Sequence, residues 1–144
     1  MQASLSSPAQ SWPRLLALLF GITSLSAAAV DLKSPARLGD LQNVSRYCIV
    51  LADEVTQTVS RLPADDQKLY SADLMIAGTN ARSFGNYRRR AKLPEVAAGP
   101  EFESVRTAIV ARIPAESRQR PMRWLSVESA RCGDVVLDMM AKGL

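Results

Sequence analysis

The chain has 144 residues, 18 Lys and Arg against 14 Asp and Glu, and no histidine. The missing histidine excludes Ser-His-Asp and Cys-His catalysis, His-ligated zinc, and haem attachment through a CxxCH motif. A net charge of +4 is too mild to indicate nucleic-acid binding by itself, and the length suits one small domain behind a targeting segment.

Residues 1–29 read as a cleavable export signal. Arg14 is the only charge before an apolar run that begins at Leu15–Phe20 and continues to Leu25. Ser26-Ala27-Ala28-Ala29 comes next, with Ala27 and Ala29 as the small-residue pair at the cleavage position. The run is too short, and too rich in Ser and Gly at its end, for a good membrane span. No twin arginine precedes it and no cysteine succeeds the small residues, which points to general export without lipid attachment. The expected mature protein is a single helical domain over 30–144, periplasmic or secreted. An uncleaved N-terminal anchor is the alternative.

Asp31 to Gly39 is a short polar lead-in. The longest periodic segment comes after it, Asp40 to Leu62. Leu41, Val44, Cys48, Leu51, Val55 and Leu62 fall on one helical face. Tyr47, Ile49, Val50 and Ala52 widen the apolar surface around Cys48, so that turn is expected to be buried on more than one side. Asp40 is a fair N-cap, and Pro63 stops the segment. Arg46, Asp53, Gln57 and Arg61 are expected to face water. A buried strand over Tyr47–Leu51 is the competing reading, but the helical stripe extends well beyond it.

Asp65 and Asp66 suit the first turn of a second helix, where carboxylates meet the positive end of the dipole. Tyr70, Leu74, Ala77, Ala81 and Phe84 form its stripe, widened by Leu69, Ala72 and Ile76. The small residues Ala72, Ala77, Gly78 and Ala81 suggest a closely packed neighbour. Gly85-Asn86 is expected to end this helix. The short link through Pro63 implies an antiparallel hairpin with the first helix.

A basic loop is expected over 86–99. Arg82, Arg88, Arg89, Arg90 and Lys92 concentrate positive charge there, and Pro94, Gly99 and Pro100 punctuate the stretch after the charges. Pro100 opens a third, shorter helix, with Glu101 and Glu103 at its start and Phe102, Val105, Ile109 and Ile113 as its stripe. Pro114 ends it. In the last segment Met122, Leu125, Cys132, Val136 and Met139 recur at helical spacing, with Ser129 filling the gap, and Lys142-Gly143 is the stop.

The fold class predicted is therefore all-α, a small bundle of about four helices. Two cysteines in an exported chain favour a disulfide. Cys48 and Cys132 both lie on apolar faces, so the bridge would join the first and last helices. It would close a loop of roughly 85 residues and contribute about 4–5 kcal/mol in the chain-entropy account.

Chemistry is sparse. No CxxC, phosphate-binding loop or dinucleotide fingerprint is present, and no cofactor or metal is expected. Asp53-Glu54 and Asp65-Asp66 are adjacent acids. Helical neighbours point in different directions, so all four read as surface charge and no catalytic residue is assigned. Asn43-Val44-Ser45 matches the glycosylation acceptor but lies inside the expected helix, where it is poorly presented. Trp124, with Met122 and Leu125, reads as core.

The sharpest surface feature is Tyr87, Arg88, Arg89, Arg90 and Lys92, a candidate partner-binding site. Arginine grips carboxylate and phosphate with a planar fork, and an adjacent Tyr can stack on it. A solvated loop with no role is the plainer reading of the same residues. The expected function is that of an exported small binding module acting on a partner protein, in the manner of an inhibitor, an immunity protein or a holdase, with no chemistry of its own. Electrostatic binding to an anionic envelope polymer or membrane surface through the Arg-rich loop is the second reading. A small carboxylate-dependent enzyme is the third. Nucleic acid is not an expected partner.

Overall fold

The computed structural model describes residues 30–144. The expected export signal over 1–29 lies outside them. Among the described residues there are five α-helices and no strands: α1 (Gln42–Ser60), α2 (Ala64–Leu69), α3 (Ser71–Arg90), α4 (Pro100–Arg112) and α5 (Met122–Ala141). Single turns of 3-10 helix at Leu38–Leu41 and Ala115–Ser117 lead into α1 and α5. The all-α bundle predicted from periodicity is the observed architecture.

α1 is the central element and packs against α3, α4 and α5. It is central because its apolar surface extends past one stripe. Leu41, Val44, Tyr47, Cys48, Val50, Leu51, Ala52, Val55 and Val59 are all buried. A helix with apolar residues on that much of its circumference must be covered from several sides. Arg88 at the end of α3 donates to the Gln42 carbonyl at the start of α1, so these two helices run antiparallel. The Asn80 amide meets the Ser129 carbonyl and Arg90 meets the Leu144 main-chain oxygen, so α3 and α5 run in the same direction.

The Cys48–Cys132 disulfide joins α1 to α5 across a Cα–Cα distance of 5.8 Å. Both cysteines are fully buried. The bridge sits inside the core, with Leu125, Val135, Val136 and Met139 from α5 packed in the same cluster. Disulfides of this kind belong to oxidising, non-cytoplasmic compartments. Among the described residues no helix is long and apolar enough to cross a membrane.

Several expectations are corrected in detail. Asp40 makes no cap hydrogen bond to α1. It lies in the preceding 3-10 turn and accepts from Arg37 Nε at 3.3 Å. The expected second helix is split at Tyr70, which takes φ −104° and ψ 17°. The Gln67 side-chain amide donates to the Leu62 carbonyl at 2.8 Å, holding α2 to the turn that comes after α1. α3 must instead lie along α1, so the chain bends between them. After the bend Ala77 and Phe84 are buried, while Leu69 is 74% exposed and Met75 and Ile76 also face solvent. The widening through Leu69, Ala72 and Ile76 therefore does not belong to the core. Gly78 faces open space, with nothing within 4 Å of a Cβ placed there, so no helix packs on it. α4 keeps to the expected pattern, with Phe102, Ile109 and Ile113 buried.

Candidate functional site

The last turn of α3 carries Arg88, Arg89 and Arg90, placing positive charge at the negative end of the helix dipole. The helix stops in a Schellman arrangement. Leu93 N–H donates to the Arg88 carbonyl at 2.9 Å and Lys92 N–H to the Arg89 carbonyl at 3.1 Å. Lys92 takes φ +56°, the left-handed position usually given to glycine. The expected basic loop over 86–99 is thus corrected: residues 86–90 are helical and only 91–99 are irregular. Arginine propagates a helix well, and the dipole favours it at this end, so the helix continues past Gly85-Asn86.

Extending the helix changes what its residues do. Ala77, Ala81, Phe84 and Arg88 recur at helical spacing on one face. That face looks into the protein, and Arg88 is 2% exposed. Arg88 Nε and Nη2 donate to the Pro94 carbonyl at 3.0 and 2.6 Å. Its Nη1 donates to the Gln42 carbonyl at 3.1 Å and to Ser45 Oγ at 2.7 Å. A guanidinium has five N–H groups; these bonds use four of them. All the acceptors are neutral, and Arg88 makes no ion pair among the described residues. Burial, and to a lesser degree the nearby charge of Arg46, lower its pKa from the ordinary arginine value, with Glu101 opposing. Arg46 itself pairs with Glu101 at 2.7 Å.

Of the five candidate binding residues, Tyr87 and Arg88 are therefore buried and structural, not part of a solvated loop. Arg89, Arg90 and Lys92 are exposed. Arg90 lies 5.7 Å from the Tyr87 ring centroid and donates to the Leu144 main-chain oxygen at 3.0 Å. Arg89 donates only to Asn86 Oδ1. Arg82 is exposed one helical turn and a half before Arg88 and makes no ion pair among the described residues. A cavity of about 320 Å³ opens beside this end of α3. Arg82, Arg88 and Arg89 line it together with Ile49, Leu93 and Val96, and Glu95 is the one acid in the lining. The recess gathers three arginines of α3 with apolar side chains of α1 and of the stretch after α3, while Tyr87, Arg90 and Lys92 do not line it.

Periodicity in charge-poor stripes hides a second group of residues. Glu128 is 1% exposed in the middle of α5. Tyr47 Oη donates to its Oε1 at 2.8 Å, Arg131 pairs with its Oε2 at 3.2 Å, and Arg112 pairs with its Oε1 at 3.4 Å. Arg112 also donates to Tyr47 Oη at 2.8 Å and lies 5.4 Å from the Tyr47 ring centroid and 5.9 Å from that of Trp124. Trp124 is half-buried against the core. Burial first, then the hydrogen bond to Glu128, raise the Tyr47 phenol pKa well above its ordinary value.

Glu54, read from sequence as surface charge, is 6% exposed. It accepts from Thr58 Oγ1 at 3.2 Å and lies 3.6 Å from Arg106 Nε. Arg106 also bonds Asp53 and pairs with Glu103 at 3.1 Å, binding α4 to α1. Glu54 lines a second cavity of about 370 Å³, beside Thr58, Arg61, Leu62, Ile113 and Arg118, and no second acid joins it there. Asp65 and Asp66 are exposed in α2. Among the described residues no group of three or more His, Cys, Asp or Glu is arranged to hold a metal ion. Comparison with family models, curated proteins and solved structures returns no match.

Proposed function

We propose that the protein is an exported binding module that acts on a partner protein, with no covalent chemistry of its own. The observation that carries this reading is the outward apolar surface along α3 and α5. Asn80 meets Ser129 and faces Gly133 where the two helices touch. Ile76 stands one turn before Asn80, and Leu137 and Met140 lie one and two turns after Gly133, so these side chains border the same seam. All three are exposed, as are Met75 and Val127. Exposed apolar side chains grouped on a small protein and bordered by charge are the usual marks of a protein-docking surface. The apolar run and small residues before Val30, together with a disulfide in the core, support export.

A second reading rests on a separate observation. Arg82, Arg89 and Lys92 are exposed and make no ion pair among the described residues. Such unpaired charge supports electrostatic binding to an anionic envelope polymer or membrane surface.

Capture of partners from a cell-envelope extract separates the two. One protein retained through high salt, and lost with Ile76→Asp or Leu137→Asp, is the result expected for a packed interface. Retention lost at high salt and with Arg82→Glu/Arg89→Glu, but unaffected by the apolar variants, would overturn it in favour of the electrostatic reading, since exposed charge contacts are screened within about 3 Å at molar ionic strength.

A further inference from the structure

We infer that the recess beside the end of α3 is a binding site for an organic carboxylate carried on a small apolar body. The inference goes beyond the protein-partner reading and does not depend on it, because the apolar seam of α3 and α5 is formed by other residues.

Three features combine at this recess. The first is an uncompensated buried charge. Arg88 is 2% exposed and is held only by the Pro94, Gln42 and Ser45 oxygens. Buried ions in proteins are ordinarily matched by an opposite charge, and the other buried ions here, Glu54 and Glu128, have arginine partners. Arg88 also lines the cavity. The second is the flanking charge. Arg82 and Arg89 line the same cavity, against the single acid Glu95, so an anion entering the recess meets more than one guanidinium group. The third is shape and polarity. About 320 Å³ is at the small end of the range for small-molecule sites, roughly 300–1,000 Å³. Ile49, Leu93 and Val96 offer an apolar floor that a phosphate or sulfate could not use. A carboxylate at the mouth with a short branched or linear apolar tail inside satisfies all three.

The same chemistry has two sources: a free short-chain acid, and the terminal carboxylate of a polypeptide that ends in an apolar residue. A neutral amide of the same shape supplies the control. The oxidised protein is titrated with hexanoate, hexanamide, and a short peptide ending in leucine, with its terminus free or amidated, while the Ile49, Leu93 and Val96 methyl and Arg side-chain resonances are monitored by NMR. The expected result is saturable shifts at these residues with hexanoate at a Kd of about 1 mM or tighter, and binding at least about tenfold weaker for hexanamide. Arg82→Glu/Arg89→Glu, both exposed positions outside the core, is expected to weaken hexanoate at least about tenfold without changing the thermal midpoint materially. If the free-acid peptide binds at least about tenfold tighter than hexanoate and its amide does not, the source is a chain end; if hexanoate is the tighter, the source is a free acid. Equal affinity for hexanoate and hexanamide, shifts confined to other residues, no shift at all, or full hexanoate affinity in the double variant would each overturn the assignment.

Discussion

Three charges are buried in this small bundle, Glu54, Arg88 and Glu128, and the last two are handled differently. Glu128 sits between α1, α4 and α5 in a closed set: a phenol donates to it and two arginines pair with it. Arg88 sits between α1 and α3 with neutral oxygens only. The first arrangement matches its carboxylate with two arginines inside the protein, among groups of α1, α4 and α5. The second leaves a net positive charge at the wall of a cavity. A matched carboxylate serves cohesion; an arginine held only by neutral oxygens leaves its charge unpaired. That contrast is the reason we infer a ligand site at the end of α3 and not at the α1–α5 contact.

The contrast can be broken most severely at the staple. Replacing Cys48 and Cys132 with serine removes the constraint on the unfolded chain between positions 84 residues apart and is expected to cost about 4 kcal/mol. For a domain whose net stability is on the order of 5–15 kcal/mol, urea unfolding would show a large loss. A change below about 1 kcal/mol would mean that packing alone holds α1 to α5.

Glu128 and Arg88 can then be compared directly. Glu128→Gln leaves Arg112 and Tyr47 facing an uncharged partner and is expected to cost about 3 kcal/mol. Arg88→Met removes a charge that has no counterion and leaves only neutral acceptors short of a donor, for about 1–2 kcal/mol. Equal losses in the two variants would erase the distinction between a matched and an unmatched charge.

Alkaline pH sharpens the comparison from the closed side. The folded protein holds the Tyr47 proton more tightly than the unfolded chain does, because burial and then Glu128 raise the phenol pKa. The contribution of this proton is therefore fully present below the ordinary tyrosine value of about 10 and is lost as pH rises above it, by up to about 1.4 kcal/mol per pH unit. Tyr47→Phe is expected to lose about 1 kcal/mol at neutral pH and to show a shallower alkaline decline than the parent. Parallel declines in the two proteins would rule out Tyr47 as the titrating group.

The smallest effect is expected at the open side, and it has the opposite sign. Lys92 occupies the left-handed position that ends α3. Lys92→Gly relieves that conformation and is expected to stabilise the protein by about 1 kcal/mol. A loss of stability would mean that the Lys92 side chain makes a contact worth more than the backbone strain.

Much of this fold was legible in the residues themselves. The stripe Leu41, Val44, Cys48, Leu51, Val55 and the stripe Met122, Leu125, Cys132, Val136, Met139 dictate two amphipathic helices, because side chains recurring at helical period share a face and must bury it. Two cysteines on those faces then make the cross-link readable. Pro63 and Pro114 mark ends because proline cannot continue a helix, Pro100 opens α4 because the first helical position needs no N–H, and Gly143 supplies the left-handed stop of α5 at φ +72°. The bend at Tyr70, the fate of Arg88 and the burial of Glu54 and Glu128 were decided only in three dimensions. The residues around Tyr70 carry no Gly or Pro that would mark a break there, and the break shows only in its backbone angles. Arg88 and Glu128 occupy stripe positions where periodicity places apolar residues, and a charge stands there because partners both near and distant in sequence supply hydrogen bonds. Those partners, Gln42, Ser45 and Pro94 for the one and Tyr47, Arg112 and Arg131 for the other, are assembled by the packing of α1 against its neighbours. A local reading weighs propensity and charge one segment at a time. Whether a charge is solvated, matched or left open depends on what the rest of the chain brings to it.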